Sequence, residues 1–345
     1  MPSPSPRRAP LPLALTCGEP AGIGPDVTLA AWLRRRADAL PPFYAIGAVE
    51  LYRRRAARLG LEVPIVAVAP DEAAEVFDRA LPVVDLGLPT VGEPGRLDPV
   101  DAAVVIAAIE RAVGDVAAGR ARAIVTNPLH KHALYAVGFA HPGHTEFLGA
   151  LAASIAPPPD GVAWRAVMML AGPDLRTVPV TVHVALAEAA RTLDAETIVA
   201  TGRIVAADLT RRFGLAAPRL AIAGLNPHAG EDGAMGREDI EVIRPAVARL
   251  RAEGIDARGP LPADTMFHAR ARATYDAALC MYHDQALIPV KTIAFDETVN
   301  VTLGLPFVRT SPDHGTALDI AGSGKALPES LIAAIRLAAS MSEAA

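Results

Sequence analysis

The chain has 345 residues, a formal net charge of −5, 51% hydrophobic and 21% charged side chains. That balance suits a globular core and lies far from the disordered regime, and the negative charge disfavours nucleic acid or an anionic membrane surface as partner. One hydrophobic core is outgrown at this length, so two lobes are expected.

Residues 1–11 are rich in Pro and Ser, with no apolar stretch before a cleavage site, and read as a disordered tail rather than a signal peptide. The apolar runs stop well short of the ~20 residues a membrane span needs. Cys17 and Cys280 are far apart and form no C-x-x-C pair, which points to reduced thiols in the cytosol.

Strand-like and helix-like patches alternate from there on, the pattern of a largely parallel sheet flanked by helices. Leu13–Thr16 reads as a first strand, followed by a Gly/Pro turn and a helix over Pro25–Arg36. Strands are predicted at Phe43–Gly47, Ile65–Ala69 and Ala123–Thr126, with a long amphipathic helix over Pro99–Ala118. Arg34–Arg36 and Arg53–Arg55 fall in helical stretches and read as solvated faces. Glu146–Ala156 is predicted helical, and the three prolines that follow start a loop. Val167–Leu170, Val178–Val182, Arg219–Ala223, Ala277–Met281 and Asn300–Leu303 read as strands, and Asp194–Phe213 and Arg237–Glu253 as helices.

Three histidines stand at the ends of such strands: His183 in VTVH, His228 in GLNPHAG and His283 in MYHDQ. Neutral imidazole is the commonest metal ligand, and three leave a divalent ion with positions open for substrate oxygens. Gly18–Asp26 (GEPAGIGPD) links the first strand to the first helix without matching G-x-G-x-x-G or the P-loop. It reads either as a tight turn with Pro25 at the first helical position or as an anion cradle of backbone amides. In Gly143-His144-Thr145-Glu146, Thr145 is placed as a helix cap, with His144 beside it as a possible phosphate donor. Lys291, Asn300 and Arg309 recur at intervals of nine through an apolar region, and the guanidinium suits bidentate capture of carboxylate or phosphate. Asp313–Gly322 (DHGTALDIAG) is dense in small residues and reads either as an ordinary capped helix start or as a loop that lets a flat ligand approach the backbone.

Taken together, GEPAGIGPD, GHTEF, GLNPHAGEDGAMG, GPLPADT, MYHDQ and VNVTLGLPFVRTSPDHGTALDIAG resemble the 4-hydroxythreonine-4-phosphate dehydrogenase family of vitamin B6 biosynthesis, over about Leu13–Met341. The DHGTALDIAG stretch is also similar to the NAD loop of isocitrate and isopropylmalate dehydrogenases. The resemblance implies an α/β fold of two α/β/α lobes around a central cleft. Residues 12–128 with 290–345 are then expected as the first lobe, carrying the NAD loop, and residues 129–289 as the second.

Carried over by position, the resemblance implies metal ligands at His183, His228 and His283, shared between the subunits of a homodimer. It implies substrate contacts at His144, Thr145, Lys291, Asn300 and Arg309, and cofactor contacts at Asp313, His314, Gly315, Thr316, Ala317 and Asp319. NAD is the implied cofactor, with NADP as the alternative. Zinc is the first choice of metal, ahead of cobalt, manganese or magnesium. Three departures stand out: Thr126–Lys131 reads TNPLHK where TAPINK is usual, Val182 replaces a common threonine, and the proline-rich segment near Pro157 resembles an insertion.

The implied reaction oxidises C3 of 4-phosphohydroxy-L-threonine and decarboxylates the β-keto acid to 3-amino-2-oxopropyl phosphate, with Asp264, Asp284 or Lys291 as general base. Two other readings stay open. One is a dehydrogenase of 4-phosphothreonate, 4-phosphoerythronate or a dicarboxylated dihydrodiol; the other, more distant, is a phosphate acyltransferase of similar fold.

Overall fold

Strands and helices alternate along the chain, as the aliphatic runs between Gly/Pro turns predict. The computed structural model describes residues 11–135, 144–158 and 164–344, leaving aside the side chains of residues 131, 132 and 144–146. The expected tail therefore lies outside the described residues apart from Leu11, as does most of the proline-rich segment.

The chain divides into two units, residues 1–157 with 307–339 and residues 158–306 with 340–345. The sequence puts the cuts near 128 and 290, and local packing accounts for both differences. The helix His144–Ile155 packs on the helix Asp101–Ala117 and stays with the first unit. The helix His283–Ala294 runs through 290, and the strand Val299–Leu303 pairs with Val167–Ala171, so this stretch stays with the second.

In chain order the first unit supplies β1 (Leu13–Thr16), α1 (Gly24–Leu33), β2 (Phe43–Gly47), α2 (Val49–Leu59), β3 (Ile65–Ala67), α3 (Ala73–Val76) and β4 (Leu81–Asp85). It continues with α4 (Asp101–Ala117), β5 (Ile124–Thr126), α5 (Lys131–Tyr135) and α6 (His144–Ile155). The second unit supplies β6 (Val167–Ala171), β7 (Arg176–Pro179), α7 (Leu186–Thr192), α8 (Ala195–Phe213) and β8 (Arg219–Ala223). After these come α9 (Arg244–Ala252), β9 (Asp256–Leu261), α10 (Ala269–Arg272), β10 (Ala277–Cys280), α11 (His283–Ala294) and β11 (Val299–Leu303). β12 (Arg309–Pro312) and α12 (Glu329–Ala344) follow.

Strands of the first unit lie in the order β3-β4-β2-β1-β5-β12, every pairing parallel. A parallel sheet is covered by its crossovers, which is why β1 and β2 are buried along their whole length and contain no alternating polar positions. Helix α4 packs over β1 and β2. The Trp32 indole N–H donates to the Phe77 carbonyl at 2.9 Å, and the Phe77 ring meets Phe43 edge-on at 4.9 Å.

The second unit orders its strands β11-β6-β7-β10-β8-β9, antiparallel at β11–β6 and β6–β7 and parallel beyond. Its core gathers Leu170, Leu175, Ala221, Cys280, Leu287 and Val290 between the sheet and α11. The helix expected over Arg237–Glu253 is interrupted: a π-helical turn, Asp239–Ile243, precedes α9. Pro245 lies at the start of α9, where its missing N–H costs nothing, whereas a continuous helix would need that donor.

Cys17 and Cys280 are both free and buried, and among the described residues no helix is long and apolar enough to cross a membrane.

Candidate functional site

The strands β7, β10 and β8 are adjacent and parallel, so the segments leaving their carboxyl ends emerge at one edge of the sheet. Those segments carry His183, His283 and His228. Open α/β sheets place ligands at that edge.

The structure brings two of the three together: the rings of His183 and His283 lie 5.7 Å apart between centroids, tilted by 43°. His283 Nδ1 and Asp284 Oδ1 are 2.7 Å apart. A carboxylate there selects the Nδ1–H tautomer and leaves the Nε2 lone pair for a ligand, the usual support of a metal-binding imidazole. The donor chemistry of this pair thus fits two positions of a divalent-ion site.

His228 stands in a different setting. Residues 228–232 all adopt left-handed backbone, with φ from 42° to 80°, and the His228 side chain is 62% exposed beside Glu231 at 3.8 Å. Such a run of non-glycine residues is strained, roughly 1–2 kcal/mol each. Asp239 sits beneath it, fully buried, accepting from the Leu225 amide at 3.0 Å and from the Asn226 amide at 3.2 Å. Among the described residues no three His, Cys, Asp or Glu side chains gather closely enough to hold a metal. The three histidines together are therefore not a cluster within one chain.

Lys291 and Asn300 are half-buried on α11 and β11, and the Lys291 ammonium lies 5.7 Å from the Phe295 ring centre. Asp264 is exposed on a single turn, Ala263–Thr265.

A second set of loops leaves the carboxyl ends of β1, β5 and β12, again adjacent and parallel. Arg309 is buried and donates through Nε and Nη2 to the Thr126 hydroxyl. Desolvation lowers its pKa to about 10, which leaves it cationic at neutral pH. Asn127 donates to the Thr16 carbonyl at 3.0 Å and to the Thr28 hydroxyl at 2.9 Å. This residue, where the sequence departs from the usual wording, thus ties β5 to the turn after β1. The helix α6 begins at His144, so Thr145 stands inside its first turn rather than capping it. The side chains of His144 and Thr145 lie outside the described residues.

The segment Asp313–Gly322 forms a loop with one turn of 3-10 helix, Leu318–Ile320, after a left-handed Ala317 at φ 42°. Thr316 is buried and its carbonyl accepts the Ile23 amide at 3.0 Å; a Cβ on Gly22 would come within 2.8 Å of that oxygen, so the close approach requires glycine. Asp313 and His314 are half-buried, whereas Gly315 and Asp319 are exposed. His314 Nδ1 faces the Gly315 carbonyl at 3.0 Å.

Two buried residues that the sequence did not single out brace this loop. Asp26 accepts the Gly322 amide at 2.7 Å and pairs with Arg55. Arg55 also donates to the Gly22 and Pro20 carbonyls, at 2.8 Å each. Of the expected solvated face Arg53–Arg55, only the first two members are exposed; Arg55 is 2% exposed. The available signal was its helical spacing from Leu51 and Tyr52, which puts it on the buried side of α2.

The model of the family described as pyridoxal phosphate biosynthetic protein PdxA matches residues 39–338. The chain is 59% identical to a 4-hydroxythreonine-4-phosphate dehydrogenase of Bradyrhizobium diazoefficiens, covering 96% of this chain and 97% of that protein. It is 60% identical to a protein of the same name from Methylorubrum populi, covering 95% and 93%. Among solved structures, a 4-hydroxythreonine-4-phosphate dehydrogenase from Klebsiella pneumoniae superposes with a TM-score of 0.82 at 35% identity, covering 96% of this chain and 99% of that one.

Proposed function

The chain belongs to the pyridoxal phosphate biosynthetic protein PdxA family, and from that membership we propose that it oxidises 4-phosphohydroxy-L-threonine at C3 with NAD and decarboxylates the product to 3-amino-2-oxopropyl phosphate. The observation that carries the reading is the facing pair His183 and His283 with its Asp284 support, at the edge where adjacent parallel strands end.

In the first step the hydride leaves C3 for the nicotinamide ring and the hydroxyl proton goes to a base. In the second, the bond to the carboxylate breaks, carbon dioxide leaves and its electron pair stays on the substrate until a proton is returned. A divalent ion held at the histidines supplies a Lewis acid beside the C3 oxygen for both steps. Zinc suits the neutral nitrogen donors best, with cobalt, manganese or magnesium as the alternatives.

His183 and His283 would hold that ion, and His228 completes the set across a homodimer interface. The exposure of His228 and its separation from the other two support sharing between chains. Arg309, with Thr126 fixing its guanidinium, takes the phosphate or carboxylate, and Lys291, Asn300, His144 and Thr145 take the remaining polar groups. Asp284 is engaged with His283, which leaves Asp264 and Lys291 as the general base. The loop of Asp313, His314, Gly315, Thr316, Ala317 and Asp319, braced by Asp26 and Arg55, holds NAD, with NADP as the alternative; exposed Asp319 offers a carboxylate to ribose hydroxyls and would repel a 2′-phosphate.

Substrate profiling of the purified protein tests the reading. The 3-amino-2-oxopropyl phosphate product should appear by mass spectrometry from 4-phosphohydroxy-L-threonine. Turnover confined to 4-phosphothreonate, 4-phosphoerythronate or a dihydrodiol would keep the dehydrogenase and replace the substrate.

A further inference from the structure

The three histidine-bearing segments meet at one buried amide. Gln285 lies in the first turn of α11 and is 8% exposed. Its Oε1 accepts the Met281 amide at 2.6 Å, and its Nε2 donates to the Gly224 carbonyl at 2.8 Å. Met281 follows β10 and leads into His283. Its carbonyl accepts both the amide of Thr181, at 3.3 Å, and the Thr181 hydroxyl, at 2.8 Å, on the segment that leads to His183. Gly224 follows β8 and opens the loop that carries His228. A Cβ there would lie 2.7 Å from Asp239 Oδ1 and 2.8 Å from the Ala229 backbone, so the loop folds back tightly against its brace.

The links therefore run from the His183 segment through Met281 to Gln285, and from Gln285 through Gly224 to the His228 loop. This junction needs a side chain that is acceptor and donor at once and long enough to reach both strands' ends. Glutamine meets all three requirements; ionised glutamate has no donor, and an aliphatic side chain has neither group. Without the amide, the Met281 N–H and the Gly224 carbonyl would be left unpaired at buried positions, which proteins avoid.

Resting on the reading that these histidines hold a divalent ion, we infer that Gln285 is the positioning residue of the histidine site, one buried amide that sets the segments carrying His183, His228 and His283 relative to one another. Thr181 acts with it through the shared Met281 carbonyl. Neither side chain contacts substrate in this role; both act through the imidazoles they place.

The test uses metal-stripped full-length protein titrated with zinc against a chromophoric chelator, for wild type, Gln285→Met, Thr181→Val and Thr181→Ser. Gln285→Met should bind zinc ten- to a hundredfold more weakly, the range seen when partners behind metal ligands are removed, while the KM for NAD stays within about twofold. Thr181→Val should weaken binding severalfold, and Thr181→Ser, which keeps the hydroxyl, should restore it. A folded Gln285→Met with wild-type zinc affinity overturns the inference. Should that variant fail to fold, wild-type affinity in Thr181→Val overturns it instead. The imidazole resonances of the metal-free proteins give a readout that needs no ion: Gln285→Met should move the His183 and His283 signals. Unchanged signals overturn the bridge itself, whereas absence of zinc binding by the wild type would overturn the metal reading and leave the resonances to decide the bridge.

Discussion

Arg309 donates through Nε and Nη2 to a single oxygen, the hydroxyl of Thr126, at 3.1 and 2.6 Å. The guanidinium is buried and charged, so its orientation depends on such fixed acceptors. Thr126→Val keeps the shape and removes the oxygen. Weakening a buried charged donor costs about 1–3 kcal/mol, so the KM for the phosphorylated substrate should rise roughly 5- to 100-fold, with Thr126→Ser close to wild type. Steady-state kinetics check this; an unchanged KM in Thr126→Val would detach Arg309 from substrate binding.

Glu19, 2% exposed in the turn after β1, accepts the Ala21 amide at 3.2 Å. Burial, aided by the negative charge of Asp101 and opposed by that hydrogen bond, raises its pKa from 4.5 to about 7. The folded state therefore keeps a proton that the unfolded chain releases above pH 4.5, and this stabilising effect, full below 4.5, is lost as pH rises through about 7. Wild type should lose on the order of 1–3 kcal/mol across that window relative to Glu19→Gln. Urea unfolding at about pH 5 and pH 8 measures the difference; parallel profiles for the two proteins would contradict the assignment.

Both thiols should be inert in the folded protein. Cys17 and Cys280 have no exposed surface, and burial pushes the Cys17 thiol up to about 12 and the Cys280 thiol well above its usual range. A thiol reagent should label neither residue under native conditions and both after denaturation. Rapid native labelling of either would mean that its strand end opens.

The metal assignment predicts a different pattern at each histidine. His283→Ala and His183→Ala should each lose tightly bound zinc and turnover, with circular dichroism unchanged. His228→Ala should do the same, and mixing inactive His228→Ala with inactive His283→Ala subunits should restore part of the activity if ligands are shared across a dimer. Size-exclusion chromatography of each variant separates loss of metal from loss of assembly. No complementation in a mixed dimer would place all ligands of one site on the same chain.

Much of this arrangement was legible in the residues. Aliphatic strands that end in a polar signature marked the segments carrying His183, His228 and His283, and the sheet order sets them side by side. The strands and helix that escaped notice share one cause. Pro82 in β4, Pro260 in β9 and Pro312 in β12 break the apolar pattern, and Pro289 argues against a helix where α11 in fact runs. Tertiary packing overrode those local signals. The supporting residues were harder still. Arg55, Asp239 and Gln285 serve backbone groups distant in sequence, and no spacing rule announces which carbonyl or amide a buried polar side chain will meet.

The most direct test of the account is NADH formation followed at 340 nm with 4-phosphohydroxy-L-threonine, using metal-stripped protein with and without added zinc. The account predicts no signal without metal and NADH formation when zinc is restored. Equal rates with and without metal would contradict the histidine site, and silence in both cases from a protein that binds zinc would contradict the substrate.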